Sequence, residues 1–164
     1  MSVFQAPRQL FALISAACIA MLAFGLYLQH VVGLEPCPMC IVQRYLLILV
    51  AVLAAAFALA RKKGAWLSGA ALLVASSAAG AFVAARQSYL QWYPPEVASC
   101  GRDLYGMIET FPLKRVIPMI FKGSGDCTKI DWTFLGLSIA NWSFVSFAVI
   151  ALVSLTIFVR QQKK

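Results

Sequence analysis

Residues 9–34 read Gln-Leu-Phe-Ala-Leu-Ile-Ser-Ala-Ala-Cys-Ile-Ala-Met-Leu-Ala-Phe-Gly-Leu-Tyr-Leu-Gln-His-Val-Val-Gly-Leu, 26 uncharged positions between Arg8 and Glu35. A helix needs about 20 mostly apolar residues to cross the hydrocarbon core of a bilayer. Three more charge-free runs follow: 16 residues between Arg44 and Arg61, 22 between Lys63 and Arg86, and 28 between Asp131 and Arg160. The second is short unless its helix begins near Ile41, which places Arg44 inside the outer end of a span. Four transmembrane helices are therefore expected, at about 10–30, 41–60, 65–86 and 138–159. The expected fold is an all-α membrane protein, a four-helix bundle forming one integral domain over 1–164. Ser15-Ala16-Ala17-Cys18 faintly resembles a lipoprotein cleavage site. The apolar run continues through Ile19–Leu28, where a mature lipoprotein would turn polar, so the first run reads as a retained helix.

Composition agrees with a bilayer as solvent. Of 164 residues, 62% are hydrophobic and 12% charged, the latter about half the share of a soluble domain. Disordered, collagen-like and ordinary soluble chains are excluded on that count. The net charge of +8 is a topology signal. Arg8, Arg61, Lys62, Lys63, Arg160, Lys163 and Lys164 fall on one side of the four spans, with no acid among them. All six acids, Glu35, Glu96, Asp103, Glu109, Asp126 and Asp131, fall on the other. Enrichment of Lys and Arg in cytoplasmic loops then puts both termini inside, and no nucleic-acid partner is implied. Trp92, Trp132 and Trp142 gather toward the outer interface, as aromatic belts do.

The outer loop, about 87–137, carries Pro94-Pro95 and Gly123-Ser124-Gly125, which interrupt regular structure. Within it Leu113, Val116, Ile117, Ile120 and Phe121 repeat at helical spacing, and Pro118 breaks the run. A short interfacial helix lying on the membrane surface is expected there; packing of the stripe against the loop itself is the equal alternative.

Four of the five cysteines fall on the outer side: Cys37, Cys40, Cys100 and Cys127. Cys37-Pro38-Met39-Cys40 has the spacing of a redox dithiol or of half a zinc site. Zinc needs a second closely spaced ligand pair, but Cys100 and Cys127 lie far apart in sequence and the one histidine is His30. A c-type haem would need histidine where Ile41 stands. Redox chemistry leads over a structural crosslink and over a metal. A disulfide across so short a loop stabilises little by loop closure, while a helix start favours a thiolate. Arg44, four residues after Cys40 and seven after Cys37, shares their helix face. An arginine within a span is costly and marks a functional site; the bland alternative is that it snorkels to head groups. A thiolate at the membrane surface needs an electron acceptor, and a lipid-soluble quinone takes two electrons, matching one dithiol. No Gly-rich dinucleotide fingerprint competes.

The run Cys37-Pro-Met-Cys40-Ile-Val-Gln43-Arg44 resembles the signature of the DsbB family. So do Leu90-Gln91-Trp-Tyr-Pro94 before Cys100, the Gly125-Asp126-Cys127 turn, and Trp132-Thr-Phe-Leu-Gly136. The resemblance covers nearly the whole chain, from about Gln29 to the last span. It implies a multi-pass protein of the bacterial inner membrane that oxidises a periplasmic dithiol oxidase of the DsbA type and passes electrons to ubiquinone or menaquinone. It implies two disulfides, Cys37–Cys40 and Cys100–Cys127, with Cys100 meeting the partner and the quinone lying beside Cys40 and Arg44. Some members carry a histidine near the quinone at the outer end of span three. That position is Gln87 here, next to Arg86, and either is a candidate quinone contact. A monomer is expected.

Two rival readings keep the four spans. Vitamin K epoxide reductases also combine loop cysteines, a membrane CxxC and a quinone, but their CxxC follows the loop pair. A scaffold with a loop disulfide leaves Arg44 and the CxxC without a role. Cys18 reads as a small apolar residue in a span and His30 as interfacial. Gly25, Gly69 and Gly80 are candidates for close helix approach.

Overall fold

The computed structural model describes residues 7–94, 128, 130 and 132–163. Four helices dominate it: α1 (Pro7–His30), α2 (Pro38–Leu59), α3 (Lys63–Trp92) and α4 (Ile139–Gln162), each long and apolar enough to cross a membrane. Their outward faces are as apolar as their interior. Leu13, Ile19, Val52, Phe82, Val149 and Leu152 are all exposed, the arrangement that lipid tails favour and water penalises.

Consecutive helices pack side by side, with α3 against α4 the most extensive contact, while α1 and α4 touch only slightly. The bundle is thus tight along three seams and open along the fourth. One core cluster joins Phe11 and Cys18 of α1, Val50 and Ala54 of α2, Leu73 of α3 and Ile157 of α4. A smaller one, near the other end, joins Cys37 and Met39 to Val83 and Leu90 of α3. Two glycines set the seams. A Cβ on Gly69 would stand 2.4 Å from the Phe57 ring, and one on Gly80 would stand 2.5 Å from the Phe147 ring. Small residues admit close helix approach in a bilayer, where packing supplies the attraction between helices.

Two boundaries next to the site differ from the sequence-based expectation. Helix α2 starts at Pro38, three residues before Ile41, because proline suits the first helical position and Cys37 serves as N-cap. Helix α3 continues through Gln87 to Trp92, so Gln87 lies in the helix and not in the outer loop. Nothing in 87–92 opposes a helix, and the stop comes only where Pro94 disfavours helical geometry in the residue before it.

A hairpin that sequence reading did not anticipate precedes α4. Strand β1 (Thr133–Phe134) pairs antiparallel with β2 (Leu137–Ser138) across a two-residue turn. Leu135 and Gly136 both have positive φ, 52° and 78°, as a primed hairpin turn requires. Leu135 adopts a conformation costing a side-chain-bearing residue roughly 1–2 kcal/mol. Ser138 closes the hairpin and caps α4, accepting from Asn141 N–H at 3.4 Å. Its hydroxyl also donates to Gln91 Oε1 of α3 at 2.6 Å. The interfacial helix expected over 113–122, and both Cys100 and Cys127, lie outside the described residues.

Candidate active site at the mouth of α2

The Cys37-Pro-Met-Cys40 turn is held as a helix cap. Cys37 is extended (φ −66°, ψ 161°), and its Sγ accepts the Cys40 backbone N–H at 3.3 Å. The cap folds the two side chains together, with the sulfurs 2.7 Å apart. Cys37 is buried and Cys40 partly so.

Two glutamines complete the cluster. Gln87 Nε2, from the last turns of α3, donates to Cys37 Sγ at 3.3 Å and to Cys40 Sγ at 3.2 Å. Its carbonyl oxygen accepts from Gln43 Nε2 of α2 at 2.6 Å. Both glutamines are buried. The added turns of α3 beyond Arg86 are what bring Gln87 to the sulfurs.

Arg44 turns toward α1. Its guanidinium donates to Gln29 Oε1 and, at 3.1 Å, to the carbonyl of Gly25. A Cβ on Gly25 would lie 3.8 Å from the guanidinium nitrogens, so the glycine leaves the face open for the fork to lie against. Arg44 is therefore held inside the bundle by α1, which goes beyond snorkelling.

Cys37, Cys40 and Arg44 all border one cavity of about 790 Å³. All four helices line it, including α1 and α4, whose mutual contact is slight. Gln29, Gln43, Gln87 and Gln91 supply polar groups, while Phe24, Leu28, Leu47 and Phe147 supply apolar wall. Aromatic rings bridge its rim from α1 to α4. Phe24 meets Trp132 edge-on at 5.9 Å, Trp132 stacks on Phe134 at 6.0 Å, and Trp142 Nε1 donates to the Phe134 carbonyl at 3.0 Å.

Arg86 stands elsewhere. Its guanidinium lies over the Tyr89 ring at 5.5 Å, and it is not among the residues bordering the cavity. His30 ends α1 and is likewise not among them. Cys18 is fully buried within the larger apolar cluster. Among the described residues no group of three or more His, Cys, Asp or Glu comes together to hold a metal. Sequence reading did not single out Gln43 or Gln29 as site residues. Glutamine carries no distinctive signal until its neighbours are known.

Cys37 and Cys40, side by side at the wall of the cavity, fall within a family match that spans most of the chain. The family model described as disulfide bond formation protein DsbB matches residues 7–157. The chain belongs to the DsbB family. Disulfide bond formation protein B of Polaromonas sp. strain JS666 is 75% identical over 154 residues, covering 94% of this chain and 92% of the relative. That of Polaromonas naphthalenivorans is 68% identical over 160 residues, 98% and 96% of the two chains. A more distant relative from Aromatoleum aromaticum retains 48% identity over 157 residues, 94% of each. As a DsbB protein the chain is a quinone-dependent, disulfide-generating oxidoreductase of the inner membrane, which reoxidises DsbA and passes the electrons to quinone. Membership settles the choice against the epoxide-reductase-like and scaffold readings.

The residues present suit a quinone. An elongated apolar molecule with a polar head finds apolar wall for its tail and, at one end, the Arg44 fork and side-chain amides for head-group oxygens. A bound quinone supplies the two-electron sink that a dithiol needs to become a disulfide.

Proposed function

We propose that electrons enter at Cys100–Cys127, pass to Cys37–Cys40, and leave on a quinone seated beside Cys40 and Arg44. The observation that supports this most is the shared cavity, which brings a dithiol, a guanidinium and apolar wall to one place. A thiolate of reduced DsbA attacks Cys100, forming a mixed disulfide and expelling Cys127 as thiolate. The second DsbA thiol attacks the mixed disulfide and releases oxidised DsbA, leaving Cys100 and Cys127 reduced. Exchange with Cys37–Cys40 restores the loop disulfide and leaves Cys37 and Cys40 as thiols. They then close their own disulfide, and the two electrons and two protons they lose depart as quinol. Each exchange is thiolate attack on a disulfide, so a stabilised leaving thiolate speeds it.

Arg44 orients the quinone head group and favours negative charge near Cys40. Gln87 lies on the same cavity wall and is the second candidate contact; Arg86, set apart over Tyr89, is the weaker one. The acceptor is ubiquinone or menaquinone, and the protein acts as a monomer. Both termini and Arg61–Lys63 face the cytoplasm, with the four outer cysteines in the periplasm, on the strength of the charge asymmetry.

Cys100 follows Pro94-Pro95-Glu96-Val97-Ala98-Ser99, whose prolines favour extended chain. Such a segment can lie along a partner groove. A DsbA lacking its resolving cysteine should therefore be captured on Cys100, as mapped by mass spectrometry of the crosslinked peptide. Capture mainly on Cys127 reverses the two roles.

A further inference from the structure

We infer that Gln87 is the hydrogen-bond donor that holds negative charge on the Cys37 and Cys40 sulfurs, and that Gln43 fixes its orientation. The inference rests on the proposed redox role of Cys37–Cys40.

The geometry is specific. One amide nitrogen lies within 3.3 Å of both sulfurs, short for contacts to so large an atom. A neutral thiol accepts hydrogen bonds weakly, whereas an ionised acceptor roughly doubles their strength. The bond from Gln87 therefore gains strength as charge develops on sulfur, whichever of the two carries it. Burial of both glutamines keeps water from competing for the amide.

Orientation decides whether the group helps or hinders. A carboxamide has a donor end and an acceptor end, and rotating it by half a turn would aim its oxygen at the sulfurs. Gln43 Nε2 donates to that oxygen at 2.6 Å. With Gln43 as it stands, a rotated Gln87 would place one NH₂ group against another and leave a buried donor without a partner, which is costly, so the two amides can turn only together. Gln43 thus acts through Gln87, as a positioning residue, while Gln87 touches the reacting atoms.

The chemistry also fits a neutral donor. Gln87 stabilises charge without a proton of its own to lose, so its effect persists across the working pH range. Arg44 donates to Gln29 and Gly25, while the Gln87 amide donates to both sulfurs.

The test uses the full-length protein in lipid nanodiscs, with Cys18, Cys100 and Cys127 replaced by alanine. The reduced Cys37–Cys40 pair is alkylated with iodoacetamide across pH, and the same protein is titrated against a dithiol redox buffer. Gln87→Met should move the midpoint of the alkylation profile upward by about one pH unit. Gln43→Met should move it in the same direction, and should add nothing in the Gln87→Met background. Gln87→Leu likewise removes the N–H without adding a charge, so it too should shift the midpoint upward; it decides the matter if Gln87→Met does not fold. A midpoint unmoved by either Gln87 variant overturns the inference. So does a Gln43→Met shift of equal size in both backgrounds. In those cases the redox titration still reports a Cys37–Cys40 disulfide. Failure of that disulfide to form at all would overturn the redox reading itself, and the inference with it.

Discussion

Arg44 of α2 donates to the carbonyl of Gly25 of α1 at 3.1 Å, a charge-assisted bond between two helices at the wall of the cavity. The carbonyl already belongs to a helix, so the guanidinium uses its spare lone pair. The same fork reaches Gln29 one turn further along α1. The cation is thereby fixed at the cavity rather than drawn to the membrane surface.

Loss of this cation should weaken quinone use selectively. A hydrogen bond to a charged group is worth roughly 1.5–3 kcal/mol, or about ten- to a hundredfold in apparent affinity. Arg44→Met should raise the quinone KM by that factor while leaving thiol exchange with DsbA intact. Arg44→Lys should be intermediate, because a point charge cannot reproduce the planar fork. Steady-state kinetics at varied quinone and at varied DsbA separate the two effects; an unchanged quinone KM would leave Arg44 a tie between α1 and α2 with no part in holding quinone.

Gly25 should tolerate a methyl group but not a large side chain. A Cβ there is in ordinary contact with the guanidinium at 3.8 Å, so Gly25→Ala should keep the parent quinone KM. Gly25→Leu places further carbons where the fork lies and should raise the KM toward that of Arg44→Met. Parallel kinetics of the two variants check this, and a parent-like Gly25→Leu would show that the fork does not need that space.

The four spans were legible because charges are expelled from the hydrocarbon core and so punctuate the sequence. The finer features were not. Arg86 read as the end of a span, yet an arginine near a helix end can extend along apolar surface toward the interface, and α3 runs on to Trp92. That misplacement hid the approach of Gln87 to the sulfurs. The CxxC, Arg44 and Gln87 all stood out by motif or resemblance. Gln43 did not, since its importance lies in a bond across 44 positions of sequence, and one chain carries no signal for such a pair. The hairpin escaped because its turn is Leu135-Gly136, where Asn-Gly or Asp-Gly is the usual marker.

The proposed topology rests on the charge asymmetry and is open to direct labelling. In intact cells, single-cysteine variants that retain Cys40, Cys100 or Cys127 should react with an impermeant maleimide. A cysteine introduced by Lys62→Cys should be protected until the membrane is permeabilised. Labelling of that residue from outside would invert the assignment.

Cys37–Cys40 as the pair that hands electrons to quinone is tested most directly in a single turnover. Protein carrying Cys100→Ser and Cys127→Ser is reduced, freed of reductant and mixed with excess quinone, and both quinol formed and thiols lost are counted. The expected result is one quinol per protein with the loss of two thiols, mapped to Cys37 and Cys40. Folded protein that forms no quinol while keeping both thiols would contradict that assignment.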